Sequence, residues 1–90
     1  MAKAIMDPGE VRRFANDLRR FTTDLHNQLT SLHARFGALG DTWQDQEHDR
    51  FSEEFQQTLK VVMRFVERSN QHAPYLLRKA QRVEEYLNQR

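Results

Sequence analysis

Ninety residues, 38% of them hydrophobic and 30% charged, with three glycines and two prolines, describe one domain, 1–90, of helical rather than β-rich or disordered type. The formal net charge of +1 lies far from the basic footprint of a nucleic-acid binder, and no cysteine is present to supply a disulfide. A chain this short hides little apolar surface by itself, so a further source of burial is expected.

The first residues, Met1 to Gly9, turn polar within a few positions and hold no apolar run of the roughly 7 residues a secretory signal needs. No stretch approaches the roughly 20 apolar residues that span a bilayer, so stable membrane insertion is not expected. Asp7-Pro8 reads as a helix start, with Asp7 as cap, Pro8 in the first turn and Glu10 completing an Asp-x-x-Glu capping box. Val11, Phe14, Leu18, Phe21, Leu25, Leu29, Leu32, Phe36 and Leu39 then recur at steps of three or four. That spacing predicts one amphipathic helix of roughly 50 Å at 1.5 Å per residue. The paired arginines Arg12-Arg13 and Arg19-Arg20 are read as flank residues, with Arg13 facing Asp17 and Arg20 facing Asp24.

Between Pro8 and Pro74 the apolar rhythm stops once, at Gly37-Ala38-Leu39-Gly40-Asp41-Thr42-Trp43-Gln44-Asp45, which holds two of the three glycines and the sole tryptophan. Glycine reaches left-handed backbone angles and sits just past helix ends, while Asp41 or Thr42 can cap a new helix. The segment therefore predicts a tight bend. Beyond it Phe51, Phe55, Leu59, Val62, Phe65, Val66, Ala73, Leu76, Leu77, Ala80, Val83 and Leu87 carry a second amphipathic helix. Pro74 removes a hydrogen bond to the Asn70 carbonyl and predicts a kink or break. A fold-back at residue 40 or 41 sets residue 7 opposite Pro74. It leaves residues 75–90 overhanging the hairpin, with only Ala4, Ile5 and Met6 nearby.

The expected fold is thus all-α, a two-helix antiparallel hairpin of about 7–39 and 42–89, kinked or broken near Pro74. The apolar stripes (Phe14, Leu18, Phe21, Leu25, Leu29, Leu32, Phe36 on one helix; Phe51, Phe55, Leu59, Val62, Val66 on the other) are wider than one partner helix requires. Two hairpins packed face to face into a four-helix bundle close such a core. Charge is uneven along the chain: residues 1–40 hold six basic and four acidic groups, 41–60 two and six, 61–90 six and three. The bend end is acidic and the open end basic, which favours antiparallel pairing, the charges choosing orientation while apolar burial supplies affinity.

No catalytic constellation is present. There is no nucleophile elbow, no His-Glu-x-x-His and no phosphate-cradling glycine loop. On the fold-back His26 falls opposite Glu53 and Glu54 and His33 opposite Glu47 and His48, but of the Glu-x-x-His pairs that hold metals in helical bundles only Asp45-x-x-His48 comes close, and these histidines read as solvated face residues. No enzyme activity, cofactor or metal is expected. A basic segment around Arg78, Lys79 and Arg82 with Leu76, Leu77, Val83 and Leu87 could lie on a membrane surface, although the same pattern serves ordinary packing.

Two long helices joined by a tryptophan-bearing bend, without cysteine, resemble the Trp-x-Gly family of small helical-hairpin proteins exported by type VII (ESX) secretion systems. The likeness covers the whole chain architecturally, and its motif falls on Gly40, Trp43 and Asp45: Trp43-Gln44-Asp45 stands where the family has Trp-x-Gly, with Asp45 in place of the glycine. The family's C-terminal Tyr-x-x-x-Asp/Glu signal has no match, since Lys79 follows Tyr75 and Arg90 follows Tyr86 at that spacing. The resemblance implies a dimer with itself or a related hairpin, engagement of a secretion ATPase, and export from the cytoplasm without a cleavable signal. The alternative is a cytoplasmic dimeric adaptor or chaperone, and a more distant one a helical nucleic-acid binder.

Overall fold

The computed structural model describes residues 6–89; Ala4 and Ile5 lie outside them. Within that range the chain is an antiparallel hairpin of α1, Pro8–Leu39, and α2, Gln46–Asn88, extending 68 × 26 × 15 Å. Asp7 caps α1 as its sequence demands: its carboxylate accepts from the amides of Gly9 at 2.9 Å and Glu10 at 3.2 Å. Glu10 does not complete the reciprocal half of the capping box. Its carboxylate instead binds Arg13, so Arg13 pairs one turn backward rather than with Asp17.

The expected left-handed glycine is not found, for among the described residues no backbone φ is positive. Gly40 ends α1 in right-handed geometry, φ −59° and ψ −19°. The chain unwinds through overlapping turns in which Asp41 N–H reaches Ala38 O at 3.2 Å and Trp43 N–H reaches Leu39 O at 3.0 Å. Such turns satisfy the last carbonyls without a left-handed residue. The bend is consequently longer than its sequence suggested, and α2 starts at Gln46, capped by Asp45, rather than at Asp41 or Thr42.

That longer bend shifts the pairing register. Phe36 meets Phe51 and Phe55, Thr22 meets Asn70, and Arg12 binds Glu84. Residue 7 therefore lies well beyond the level of Pro74, and most of the supposed overhang is packed. Ala73 and Ala80 are fully buried, and among the described residues beyond Pro74 the exposed large apolar groups are Tyr75, Tyr86 and Leu87. Pro74 does not break the helix. It sits on the solvent side, as does Asn70 whose carbonyl it leaves without an amide donor, and water can satisfy an exposed carbonyl.

The seam changes character along its length. Near the bend it is aromatic; toward the open end it narrows to Ala15, Thr22, Ser69, Ala73 and Ala80, all buried. Small side chains let two helix backbones approach closely. Thr22, the largest fully buried side chain, places its hydroxyl against its own helix, donating to the Arg19 carbonyl at 3.1 Å. No helix among the described residues is long and apolar enough to cross a membrane.

Candidate functional site

The bend is organised by one carboxylate. Asp45 is extended, φ −145° and ψ −176°, and its Oδ1 accepts the His48 amide at 2.9 Å, closing the first turn of α2. Its Oδ2 accepts the indole N–H of Trp43 at 3.0 Å. A single side chain thus caps the helix and orients the tryptophan. The His48 amide, and after it the Trp43 indole, hold the Asp45 carboxyl below its ordinary value near 3.8, because both donors favour the ionised form.

Trp43 is half-buried and stands edge-on to the His48 ring, with centroids 5.0 Å apart and planes at 85°. His48 in turn stacks on Phe36 at 4.9 Å and 9°. Phe36 contacts Phe51 and Phe55, both at 5.4 Å, completing an aromatic chain across the end of the hairpin. Gly40 completes the fit by closeness rather than by unusual angles: a Cβ there would lie 3.7 Å from His48 Nε2 and 3.3 Å from the Gly37 carbonyl. Gln44 closes the loop from outside by donating to the Gly40 carbonyl at 2.9 Å.

His48 is the residue the sequence reading missed. It is part of the aromatic chain rather than a solvated face residue, and its Nε2 is buried without a hydrogen-bond partner among the described residues. The available signal was its position three residues after the cap Asp45, which turns its side chain back over the bend. His33 also differs from expectation, meeting Phe55 edge-on at 6.1 Å instead of Glu47 and His48. Among the described residues no group of three or more His, Asp or Glu side chains could hold a metal ion.

The proposed stripe divides into two sets. Leu18, Leu25, Leu29, Phe36, Phe55, Leu59 and Val62 are half-buried and Val66 is buried along the seam. Phe14, Phe21, Leu32 and Phe51 are exposed, Phe14 to 58% and Phe21 to 55%. Phe65 and Leu39 join this second set. At about 100° per residue, Phe14, Phe21, Leu32 and Leu39 share one flank of α1, and Phe51 and Phe65 share a flank of α2. In an antiparallel pair those flanks lie on the same side, so the hairpin carries one continuous uncovered apolar face perpendicular to its seam.

The opposite border is tied by Arg12 and Glu84, which form a two-pronged pair, one contact being 3.1 Å from Nη1 to Oε2. The paired guanidinium lowers the Glu84 carboxyl from its ordinary 4.5 and the carboxylate raises the Arg12 pKa. Sequence spacing alone did not reveal this pair, since it depends on the register that the bend sets.

Fold and bend together define a class: single helical hairpins with a tryptophan fixed at the turn. The chain belongs to the WXG100 family, described as proteins of 100 residues with WXG, whose family model matches residues 4–86. Among solved structures it is similar to the secreted protein EsxB from Bacillus anthracis str. Sterne. The selenomethionine-labelled form gives a TM-score of 0.74 at 20% identity, covering 96% of this chain and 98% of that one. The wild-type protein in a second crystal form gives 0.72 at 21% identity, with 91% and 94% covered. A glycine-to-alanine mutant of the same protein gives 0.73 at 20% identity, covering 94% and 98%. At this identity the likeness is one of fold. No curated protein sequence gives a significant match.

Against the WXG signature, Asp45 occupies the glycine position. The geometry gives the substitution a physical role, because an aspartate there supplies both the helix cap and the indole acceptor, neither of which a glycine side chain can provide.

Proposed function

We propose that this protein is a non-catalytic hairpin exported by a type VII system as a dimer, either with itself or with a related hairpin. The uncovered apolar face formed by Phe14, Phe21, Leu32, Phe51 and Phe65 carries this reading, since a monomer gains nothing by holding a row of large apolar side chains about half exposed. Two such faces packed together form a four-helix bundle. Antiparallel packing brings the acidic bend of one chain beside the basic open end of the other. Trp43, fixed by Asp45 at the outer end of the bundle, offers a rigid aromatic edge for a secretion ATPase or another export partner. The Tyr-x-x-x-Asp/Glu signal missing here is supplied by the partner hairpin in a mixed pair.

Light scattering and export are measured together. The wild-type chain, alone or with its partner hairpin, runs as a dimer and reaches the medium of cells with a working type VII system. Phe21→Glu combined with Phe65→Glu stays helical, becomes monomeric and is retained, because each carboxylate is added at an already exposed position. A dimer that survives these changes sinks the interface. A wild-type dimer that never leaves cells with a working system, in the presence of its partner, supports the cytoplasmic adaptor instead. Trp43→Ala exported at the wild-type rate removes the tryptophan from export recognition.

A further inference from the structure

One long surface is used neither by the hairpin seam nor by the apolar face. Along the side of α2 turned away from α1 lie Lys60, Arg64, Arg68, Arg78, Lys79 and Arg82, all exposed. Over residues 58–82 the sequence has these six cations against one acid, Glu67. Among the described residues none of the six forms a salt bridge; the ion pairs found there are Arg12–Glu84, Arg13–Glu10 and His48–Asp49. A chain of net charge +1 has therefore gathered an unneutralised basic strip on one helix face, about 33 Å long at 1.5 Å per residue.

The strip is not purely polar. Val61 is 64% exposed, Tyr75 44% and Tyr86 70%, and all three fall on the same outward side. Tyr75 stands edge-on to His72 at 6.5 Å, and with Arg68, Gln71 and Arg78 these rings line an open concavity midway along the face. An aliphatic group and a phenol ring interleaved with free cations on a long, acid-poor helix side, with the second phenol, Tyr86, one turn beyond Arg82, match an anionic bilayer boundary. There cations meet headgroup phosphates and tyrosine sits at the polar-apolar boundary. A nucleic acid backbone would reward the cations but leave Val61 and Tyr86 without a role.

We infer that the outer face of α2 docks the hairpin on an anionic lipid surface, lying on the bilayer without crossing it. The face lies on the far side of α2 from the seam and apart from the apolar one, so packing through the apolar face does not cover it, and docking does not depend on dimerisation.

Vesicle flotation tests this directly, with liposomes of phosphatidylcholine alone or of equimolar phosphatidylcholine and phosphatidylglycerol. The full chain binds the anionic vesicles and not the neutral ones, and binding weakens as salt rises. Arg68→Glu, Arg78→Glu and Arg82→Glu together reduce partitioning by about a hundredfold or more, since each basic residue near such a surface contributes about fivefold. The matched change of Arg19→Glu, Arg20→Glu and Arg35→Glu on α1, with the same net charge, leaves at least most of the binding. Circular dichroism verifies folding, and glutamine replacements of the three α2 arginines serve if the reversed-charge chain misfolds. Equal binding to neutral vesicles, no binding to either, or equal loss in both triple variants overturns the inference. Tighter binding to duplex DNA than to anionic vesicles, lost in the same α2 variant, overturns it in favour of a nucleic-acid surface.

Discussion

Trp43 donates its indole N–H to Asp45 at 3.0 Å, and the same carboxylate caps α2 through its other oxygen. The residue that departs from the family signature is therefore the one that fixes the signature tryptophan. A glycine at this position would leave the indole to find another acceptor and the His48 amide without a side-chain cap.

Replacing Asp45 separates these two duties. Asp45→Gly lowers Tm by a few degrees, and Asp45→Asn lowers it less, because an amide oxygen can still accept one of the two hydrogen bonds. Trp43 emission shifts to the red in Asp45→Gly as the indole becomes free to turn toward solvent. Thermal melts and fluorescence on the purified variants check both effects; an unchanged melt and spectrum would show that the carboxylate holds nothing in place.

Acid destabilises the hairpin with a defined sign. Asp45 and Glu84 both titrate below their ordinary values of 3.8 and 4.5 in the folded chain, held there by the His48 amide and Trp43 indole and by Arg12. A carboxyl whose folded pKa is depressed adds stability that is complete above its unfolded pKa and disappears as pH falls through the folded one. The contribution of this pair is thus constant from pH 7 to about 5 and is lost below about pH 4. Urea unfolding across this range shows a shallower acid loss for Asp45→Asn combined with Glu84→Gln than for the wild-type chain.

The two halves of the seam respond oppositely to size. Ala15 is fully buried in the small-residue half of the seam, so Ala15→Leu forces the helices apart and costs about 1–3 kcal/mol. Phe36 is half-buried at the centre of the aromatic chain, and Phe36→Ala removes its contacts with His48, Phe51 and Phe55, costing about 2–4 kcal/mol. Denaturant midpoints measure both changes. Phe36→Ala also alters Trp43 emission by loosening His48, whereas Ala15→Leu, at the far end, leaves it unchanged.

Sequence by itself determined the two helices, the bend and the family likeness, because heptad-like spacing, Asp7-Pro8 and the interruption before Trp43 are local signals that fix local backbone states. It also placed Asp45 beside Trp43, though not their hydrogen bond. Only the tertiary structure decided the register, and with it the pairing of Arg12 with Glu84, the burial of Ala73 and Ala80, and the inward place of His48. The physical reason is the length of the bend. With α2 starting at Gln46 rather than Thr42, Arg12 meets Glu84 and Thr22 meets Asn70 where a fold-back at residue 40 or 41 sets them near residues 69 and 59, a slide of roughly 15–25 Å at 1.5 Å per residue. A stripe of repeating apolar residues tolerates several such offsets almost equally. Choosing among them took the small side chains at Ala15, Thr22, Ser69 and Ala80, the aromatic chain at the bend, and the carboxylate of Asp45.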